Sequence, residues 1–528
     1  MSEMNAIFSK ACLEISQNLL LIKEPTSQQI RKEVKVVCRK YSLSRMPKSH
    51  EILSMTQGDD FSKLKKALLK KPIKTASGVA VVALMPKPFA CPHGRCTYCP
   101  GGIEFNTPNS YTGKEPSTLN AIENEYDPKL QITTKIDKLI SYGHDPSKME
   151  IVIVGGTFLF MPRDYQENFI KSCYDALNGT ISNNLQEAIS NNEHAEIRNV
   201  GFTIETKPDY CKKEHVDWML NYGITRIEIG VQSLQERVYE IVNRGHNYSD
   251  VIESFQISKD AGYKIVAHMM PGLPSVSPEE DISDFKKLFN DSQLRPDMLK
   301  IYPSLVLENT PLYDDYKRGK YEPYSNEDLI RVLSEMKKNV PKWVRIMRVM
   351  REISPQEIVA GPKSGNLRQM VRQNLAKQGV FCKCIRCREA GLSKKNPQVH
   401  SLTLNRINYN SSGGEEVFLS YEDIDESIYG FLRLRNPSIF AHRKEVATDT
   451  CIVRELHVYG KSLKLGQKEE NEIQHLGLGK KLMKEAEKIS REEFDARRLL
   501  VISAIGTREY YQKLGYSLHG PYMSKKLN

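Results

Sequence analysis

The segment VAVVALMPKPFACPHGRCTYC (residues 79–99) joins a short, β-rich apolar run to a loop that carries three cysteines. Similar runs recur downstream, each followed by a turn and a stretch of helical periodicity: MEIVIVGG (149–156), NVGFTIET (199–206), RIEIGVQ (226–232), KIVAHMM (264–270) and MLKIYP (298–303). Near-continuous apolar strands that alternate with helices are typical of a parallel sheet covered on its outer face. The six units predict an α/β fold built on a partial β/α barrel.

Polar residues and glycines stand where four of these predicted strands end: Gly155, Glu205, Gln232 and His268. Functional residues of β/α barrels gather at the carboxyl ends of the strands. We therefore expect these four residues to converge on one mouth of the barrel.

Six of the 11 cysteines fall into two tight groups. Residues 1–20 lack a basic start followed by an apolar block, so we expect no secretion signal. Closely spaced thiols in a reducing compartment are better interpreted as metal ligands than as disulfides. Cys91, Cys96 and Cys99 can hold three irons of a [4Fe–4S] cluster and leave the fourth iron open. A zinc site completed by His93 is the alternative, which we favour less because the loop follows a barrel strand.

The second group, Cys382, Cys384 and Cys387, lies in a Lys- and Arg-rich segment. Thiols this close fit a structural zinc site. The sequence does not identify a fourth ligand; His400 or a more distant side chain are the options, and a set of unliganded thiols is the alternative.

The positive charge of the chain is concentrated near its N-terminus. Residues 1–75 hold 15 Lys and Arg against 7 Asp and Glu, out of a net charge of +11. Such a surplus suits a polyanion such as nucleic acid, because each phosphate contact releases counterions; a solvated helix face is the alternative. The candidate RNA contacts are Arg31, Lys32, Lys35, Arg39, Lys40, Lys65 and Lys66, and we expect the Arg-rich WVRIMRVMRE (343–352) to add to this surface.

The predicted pattern of secondary structure changes after residue 400. Predicted antiparallel strands (417–424, 427–435 and 451–460) precede an amphipathic helix at Gly477 to Glu492 and a last strand near LLVISAI (499–505). The turn formed by Gln474, Gly477 and Gly479 opens the helix, where unpaired N–H groups can bind a pyrophosphate. We interpret it as a coenzyme A signature.

The three-cysteine loop after a first barrel strand resembles that of the radical SAM superfamily, although the cysteines here are separated by four and two residues where three and two are usual. The motifs CPHGRCTYCPGG (91–102), SYTGKEP (110–116), VGGTF (154–158), ETKPDY (205–210), EIGVQS (228–233), AHMMPGLP (267–274) and KIYPSLV (300–306) resemble the family of Elongator catalytic subunits, in its archaeal-like single-chain form. The C-terminal region resembles the GNAT acetyltransferase fold. Together the resemblances cover most of the chain.

The resemblance implies S-adenosylmethionine (SAM) as a cofactor, held near Gly155, Gly156, Glu205 and Gln232. It also implies zinc at the second cysteine group and acetyl-CoA as co-substrate. The implied acetyl-CoA contacts are Lys148, Glu455, Leu456, His457, Val458, Gln474, Gly477, Leu478, Gly479, Lys480, Tyr510 and Tyr511.

The expected division has four parts: 1–75, a basic helical tRNA-binding module; 76–340, the radical SAM partial barrel; 341–398, a connector with the zinc site; and 399–528, a GNAT-like α+β domain. The length of 528 residues is consistent with several domains.

The implied reaction is carboxymethylation of C5 of the wobble uridine of a tRNA, with acetyl-CoA and a 5′-deoxyadenosyl radical. A protein lysine N-acetyltransferase with a structural iron–sulfur domain, and a nucleic-acid scaffold with decayed catalytic domains, are the alternatives. The expected partner is the tRNA anticodon stem-loop, with other Elongator-type subunits or a second copy of the chain as further options. Without a secretion signal or a long apolar run, we expect a cytoplasmic protein and no membrane partner.

Overall fold

The computed structural model describes residues 2–56, 58–68, 78–390, 401–459 and 477–528. The basic N-terminal segment forms four helices, α1 (Ser2–Leu20), α2 (Ser27–Lys40), α3 (Ser49–Leu53) and α4 (Gly58–Leu68). Their apolar faces share one small core that includes Ile15, Val37, Ile52 and Leu64. The side chain of Thr26 caps α2 in a capping box, which fixes where that helix begins.

A seven-stranded parallel sheet forms the centre of the molecule, in the order β1-β2-β3-β4-β5-β6-β8. Its strands are β1 (Ala80–Leu84), β2 (Lys148–Ile153), β3 (Arg198–Thr206), β4 (Arg226–Gln232), β5 (Lys264–Met269), β6 (Met298–Ile301) and β8 (Arg345–Val349). Because β1 and β8 are the two edges of this sheet, the barrel is open on one side. The predicted partial barrel is confirmed.

Helices alternate with these strands, and most of them cover the outer face of the sheet. They are α5 (Pro116–Glu123), α6 (Pro128–Ser141), α7 (Arg163–Asn178), α8 (Leu185–Asn192), α9 (Lys213–Asn221), α10 (Glu236–Ile241), α11 (Tyr248–Asp260), α12 (Pro278–Asn290), α13 (Pro311–Lys317), α14 (Asn326–Lys338) and α15 (Leu367–Lys377). A short antiparallel pair, β7 (Val306–Leu307) and β9 (Ile358–Ala360), lies beside the sheet.

The sequence predicts six barrel strands, and the structure has a seventh, β8, which pairs with β6. This strand lies inside the range predicted as the connector, so the sheet continues past the predicted barrel end at residue 340. The prediction missed β8 because arginines alternate with apolar residues in RIMRV, unlike in the other strands.

A second seven-stranded sheet follows, in the order β10-β11-β12-β13-β14-β16-β15. Its strands are β10 (Thr403–Ser411), β11 (Gly414–Glu422), β12 (Ile428–Asn436), β13 (Thr450–Val458), β14 (Arg498–Val501), β15 (Ser517–His519) and β16 (Tyr522–Lys526). The pairs are antiparallel except for β13 and β14, which are parallel. Helices α16 (Ile385–Arg388), α17 (Leu478–Glu492) and α18 (Arg508–Gln512) belong to this part of the chain.

The predicted last strand near residues 499–505 is β14, and it is not the last. β15 and β16 follow it, and β10 precedes the first predicted strand. The long helix begins within a residue of its predicted start.

Buried charges join the two sheets. The guanidinium of Arg454 on β13 donates to both carboxylate oxygens of Asp297, just before β6, at 2.6 and 2.8 Å. Arg435 on β12 pairs with Asp260 at the end of α11, at 2.6 Å. Glu416 on β11 accepts from both arginines, so the network is continuous. The second sheet therefore packs against the amino-terminal ends of the barrel strands.

Within the described part of the chain, no helix is both long and apolar enough to cross a bilayer. All 11 cysteines are free thiols.

Candidate active site

The loop after β1 places three cysteines at the carboxyl end of the barrel. Cys96 and Cys99 are buried, and Cys91 is partly exposed. Burial, together with the neighbouring Cys99 and Cys96, raises the pKa of Cys91 to about 11. The backbone N–H of Ser110 donates to Cys99 Sγ at 3.2 Å. The charges of Cys99 and Cys96 act on the Cys91 thiol, so the three thiols share one part of the loop.

His93 contacts this loop without replacing a cysteine. Its Nε2 lies 3.2 Å from Cys96 Sγ, and its Nδ1 lies 3.0 Å from the ammonium of Lys207. An ammonium only donates, so we assign Nδ1 as the acceptor and place the ring proton on Nε2, which donates to the sulfur. This arrangement favours three thiol ligands with a supporting histidine over the zinc site completed by His93.

Two buried cations flank the cysteines. The guanidinium of Arg244 lies 3.8 Å from Cys96 Sγ and donates to the carbonyl of Gly230 at 2.9 Å. The Lys207 ammonium is buried on the other side of His93. Three thiolates around a metal cluster carry negative charge, which these cations offset. The donor set and its surroundings thus fit an iron–sulfur cluster.

The first cavity, of about 340 Å³, opens beside this loop at the carboxyl ends of the strands. Glu205, Gln232 and His268 all line it, so three of the four residues predicted to converge do so. Gln232 sits at a φ of +71°, and its Oε1 is buried with no hydrogen-bond partner among the described residues. A buried acceptor without a partner fits a ligand that donates hydrogen bonds.

Gly155 and Gly156 follow β2 at φ values of +108° and +110°. A Cβ on Gly155 would lie 2.8 Å from the Cβ of Pro108, in the segment after the cysteine loop. No other residue fits here without strain. The pair brings bare backbone to the edge of the first cavity, next to Val154, which lines it.

A charged group that sequence reasoning largely missed lies inside the barrel. Glu228 on β4 is buried, accepts from His268 Nε2 at 2.9 Å and forms an ion pair with Lys300 on β6. Lys300 also lies 3.7 Å from Glu205. Burial alone would raise the pKa of Glu228, but Lys300 and His268 together lower it. The sequence does carry a signal for this group: Glu228 and Lys300 are charged residues in the middle of the apolar runs RIEIGVQ and MLKIYP.

The second cavity, of about 420 Å³, lies between the amino-terminal ends of the barrel strands and the second sheet. Five of the predicted acetyl-CoA residues line it: Glu455, Leu456, His457, Val458 and Tyr511. The parallel pairing of β13 with β14 covers only Thr450–Val453, so the strands diverge where Glu455–Val458 begins. The gap leaves one backbone edge of β13 open to an extended ligand.

The amino-terminal end of α17 lies near this gap. Gly477 precedes it at a φ of +68°, Leu478 is buried, and Lys480 is exposed. A Cβ on Gly479 would lie 2.7 Å from Tyr510 Oη, so the bare backbone lets the tyrosine approach the first turn. The predicted Gln474 lies outside the described residues.

Lys148 is the first residue of β2, at the barrel end that faces the second sheet. Burial lowers its pKa. It is the register partner of Arg198, whose guanidinium binds Glu509 beside Tyr510 at 2.8 Å. The structure therefore brings Lys148 to the same side of the barrel as the acetyl-CoA residues.

The second cysteine group is compact: ligand atoms of Cys382, Cys384 and Cys387 lie within 4.8 Å of one another. Cys384 is fully buried and joins the main core. The predicted option for a fourth ligand, His400, lies outside the described residues.

The predicted RNA contacts on α2, namely Arg31, Lys32, Lys35, Arg39 and Lys40, are all exposed. Lys40 is paired with Glu14 at 2.8 Å. Lys65 is half-buried on α4, and the side chain of Lys66 lies outside the described residues.

The expectation that residues 343–352 add to this surface is wrong for Arg345. Its guanidinium donates to Glu389 at 2.6 Å and to Tyr459 Oη at 2.7 Å, because β8 belongs to the barrel. Arg348 lines the first cavity, and Arg351 binds the carbonyl of Ser110. Arg345 thus lies inside the molecule, whereas the Arg348 side chain is 42% exposed and pairs with Glu352 at 2.9 Å.

Family models match three parts of the chain. The ELP3 N-terminal domain matches residues 8–76, the Radical SAM superfamily 86–288 and the Radical_SAM C-terminal domain 296–377.

Full-length relatives match as well. The chain is 46% identical over 491 residues to a tRNA uridine(34) acetyltransferase of Methanocaldococcus jannaschii, covering 91% of this chain and 90% of the relative. It is 44% identical over 500 residues to Elongator complex protein 3 of Homo sapiens, covering 92% and 91%. Among solved structures, the archaeal Methanocaldococcus infernus Elp3 with an N-terminal deletion matches with a TM-score of 0.76 and 41% identity, covering 85% of this chain and 100% of that one.

Proposed function

The chain belongs to the family of Elongator complex protein 3 and the tRNA uridine(34) acetyltransferases, and on that premise we propose that it carboxymethylates C5 of the wobble uridine of tRNA. The enzyme is an acyltransferase that takes the two added carbons from acetyl-CoA. The observation that carries the proposal is the pair of cavities at opposite ends of one barrel, one beside three cysteines and one beside the open edge of β13.

Cys91, Cys96 and Cys99 would hold a [4Fe–4S] cluster. Together with SAM, such a cluster would supply a 5′-deoxyadenosyl radical able to take a hydrogen atom from the methyl group of acetyl-CoA. Radical chemistry suits this reaction, because the enolate of a thioester methyl group and C5 of uracil are both nucleophilic carbons, which a general base alone would not join.

The residues around the first cavity would orient SAM. The backbone at Gly155 and Gly156 can approach its methionine ammonium, since no Cβ intervenes. Glu205 and Gln232 would accept from the nucleoside, and the buried Oε1 of Gln232 gains a partner in this way.

The second cavity would hold acetyl-CoA. The open edge of β13 at Glu455–Val458 would pair with the amides of its extended arm, and Tyr511, with Tyr510, would contact the thioester end. The first turn of α17, with Gln474, Gly477, Leu478, Gly479 and Lys480, would bind the pyrophosphate, and Lys148 would contact the acyl end from the barrel.

The remaining assignments concern stability and RNA. We assign zinc to Cys382, Cys384 and Cys387 as a structural ion, because compact thiols favour zinc. Residues 1–75 serve as the tRNA-binding module, 76–340 with β8 as the radical barrel, 341–398 otherwise as the connector and 399–528 as the acetyltransferase-like domain. Further Elongator-type subunits or a second copy of the chain would assemble around this core.

The test is anaerobic incubation of the reconstituted protein with tRNA, acetyl-CoA, SAM and dithionite, followed by mass spectrometry of the tRNA nucleosides. We compare wild type with Cys96→Ala and use Cys173→Ala, which removes a buried thiol far from the loop, as the matched control. Carboxymethyluridine should appear with wild type and Cys173→Ala, and not with Cys96→Ala.

Two results contradict the proposal. One is carboxymethyluridine at wild-type levels from Cys96→Ala. The other is unchanged uridine together with equal acetylation of protein lysines by wild type and Cys96→Ala, which would support the lysine acetyltransferase alternative.

A further inference from the structure

We infer that the interior of the barrel is a passage along which the acetyl-bearing arm of CoA extends from the second cavity towards the first, with the Glu150–Arg226 ion pair as its constriction. The inference rests on the proposed function, because it concerns how the two cavities exchange an acetyl group.

A single layer of side chains separates the two cavities. Four residues line both of them: Val81 on β1, Glu150 on β2, Arg226 on β4 and Met347 on β8. Val81 on β1 pairs in register with Glu150 on β2. Arg226 on β4 pairs in register with Thr203 on β3, the strand next to β2. The two cavities therefore adjoin inside the barrel at these four residues.

The layer is not packed like a barrel core. Interiors of β/α barrels are normally filled by bulky branched side chains. Here Val81, in the middle of a strand, is 46% exposed, because it faces the two cavities and not a core. The edge strands β1 and β8 do not pair with each other, so Val81 and Met347 also flank the open side of the barrel.

The constriction is an ion pair that is costly to bury. Arg226 binds Glu150, and its Nε has no hydrogen-bond partner among the described residues. A hydrophobic pair would fill the same space at lower cost, so stability alone does not account for these charges. Gly201 on β3 leaves room for the glutamate: a Cβ there would lie 3.2 Å from Glu150 Cγ.

A passage through the barrel would meet a requirement of the proposed reaction, which is to move the acetyl group from one cavity to the other. The predicted acyl-binding edge of β13 and the cysteine loop lie at opposite ends of the barrel, so an acetyl group held at one must reach the other. The barrel interior is the direct route, and Lys264, Glu150 and Arg226 supply polar groups along it for a thioester and its amides.

Labelling of a new cysteine tests whether the arm enters the passage. Val81→Cys in the reconstituted protein is alkylated with N-ethylmaleimide, and the rate at position 81 is followed by peptide mass spectrometry. Acetyl-CoA should slow the reaction by at least about fivefold, whereas adenosine 3′,5′-bisphosphate, which lacks the arm, should not. Ile181→Cys, exposed on the outside of the barrel, should react equally under all conditions.

A plug at the same position tests whether the passage is used. Val81→Trp should lower the yield of carboxymethyluridine by at least about tenfold, with a urea-unfolding midpoint near that of wild type to show that the variant is folded. Val81→Ala, which widens the passage, should retain the yield.

Two results would overturn the inference. One is an alkylation rate of the Val81→Cys variant that saturating acetyl-CoA leaves unchanged, and the other is a wild-type yield of carboxymethyluridine from Val81→Trp. If wild type itself makes no carboxymethyluridine, the proposed function fails, and the labelling experiment still reports on the passage by itself.

Discussion

At Gly155, adding a single methyl group tests whether SAM binding depends on a backbone without a side chain. Gly155→Ala combines a left-handed φ with a Cβ contact of 2.8 Å to Pro108. We expect a loss of about 2–4 kcal/mol in the free energy of unfolding. SAM binding, measured by calorimetry, should weaken as well, because the loop between β2 and the cavity must shift.

Gly179→Ala is the matched control for this variant. Gly179 has a φ of +72°, but nothing lies within 4 Å of its ideal Cβ. It should lose about 1–2 kcal/mol from strain and bind SAM normally. Equal SAM affinity in both variants would contradict the role of Gly155.

Asp281 should make stability depend on pH. Burial raises its pKa from 3.8 to about 7, although Tyr324 Oη and the Gly272 N–H donate to it. The folded protein thus holds a proton that the unfolded chain releases, so its contribution to stability is full below about pH 4 and is lost as the pH rises towards 7.

Asp281→Asn keeps the acceptor for both donors but cannot titrate. Urea unfolding at about pH 5, 6 and 7 should show wild type losing up to about 1.4 kcal/mol per pH unit relative to this variant. A constant difference across this range would show that Asp281 is ionised throughout.

At the scale of single elements, α2 is the candidate RNA contact. Arg31, Lys35 and Arg39 stand four residues apart and share one exposed face. Replacing all three by alanine should weaken tRNA binding by at least about tenfold and lower the slope of log K against log salt by about 0.7 per lost phosphate contact.

The control removes the same charge elsewhere. Lys317, Arg318 and Lys320, at the end of α13 and just beyond it, are exposed, and their triple alanine variant should bind tRNA with the wild-type salt slope. Titrations of tRNA binding at several salt concentrations measure the slopes of the two triple variants. Equal slopes for the two triple variants would favour the solvated-face interpretation of α2.

The elements that the sequence predicts well are those that are buried on both faces. RIEIGVQ is β4 to the residue, and the other five barrel runs lie within a few residues of β1, β2, β3, β5 and β6. Two of the missed strands have weaker patterns: β8 carries arginines, and β10 is an edge strand with mostly exposed side chains. Pairing with an existing sheet forms these strands, and single-sequence periodicity does not report such pairing.

At the scale of the whole molecule, buried charges hold the two sheets together. Arg454 is fully buried and binds Asp297 and Glu416. Arg454→Met should cost about 3–5 kcal/mol, because buried Asp297 loses the guanidinium that binds both of its oxygens and buried Glu416 keeps only Arg435. Urea unfolding should show the loss, and limited proteolysis should cut between the sheets more readily than in wild type.

The double variant Arg454→Met with Asp297→Asn serves as the comparison, because it removes one of the stranded charges. It should recover part of the lost stability. No recovery would mean that Arg454 acts through packing and not through its charge.

The relation of the two cavities is the part of the site that the sequence could not provide. The positions of Glu205 and Gln232 follow from strand ends, and the turn before α17 indicates a pyrophosphate site, whereas the other acetyl-CoA residues are implied by the family resemblance. That the second sheet faces the opposite end of the barrel depends on contacts such as Arg454–Asp297, which join residues 157 positions apart. No local pattern encodes a contact of that separation.

The central claim is that one chain brings an adenosyl radical and an acetyl group together on tRNA. The most direct measurement supplies acetyl-CoA with a fully deuterated methyl group, together with SAM, dithionite and tRNA, and determines the mass of the 5′-deoxyadenosine released. The account predicts 5′-deoxyadenosine that carries one deuterium, only when tRNA is present. Carboxymethyluridine formed alongside 5′-deoxyadenosine without deuterium would contradict it.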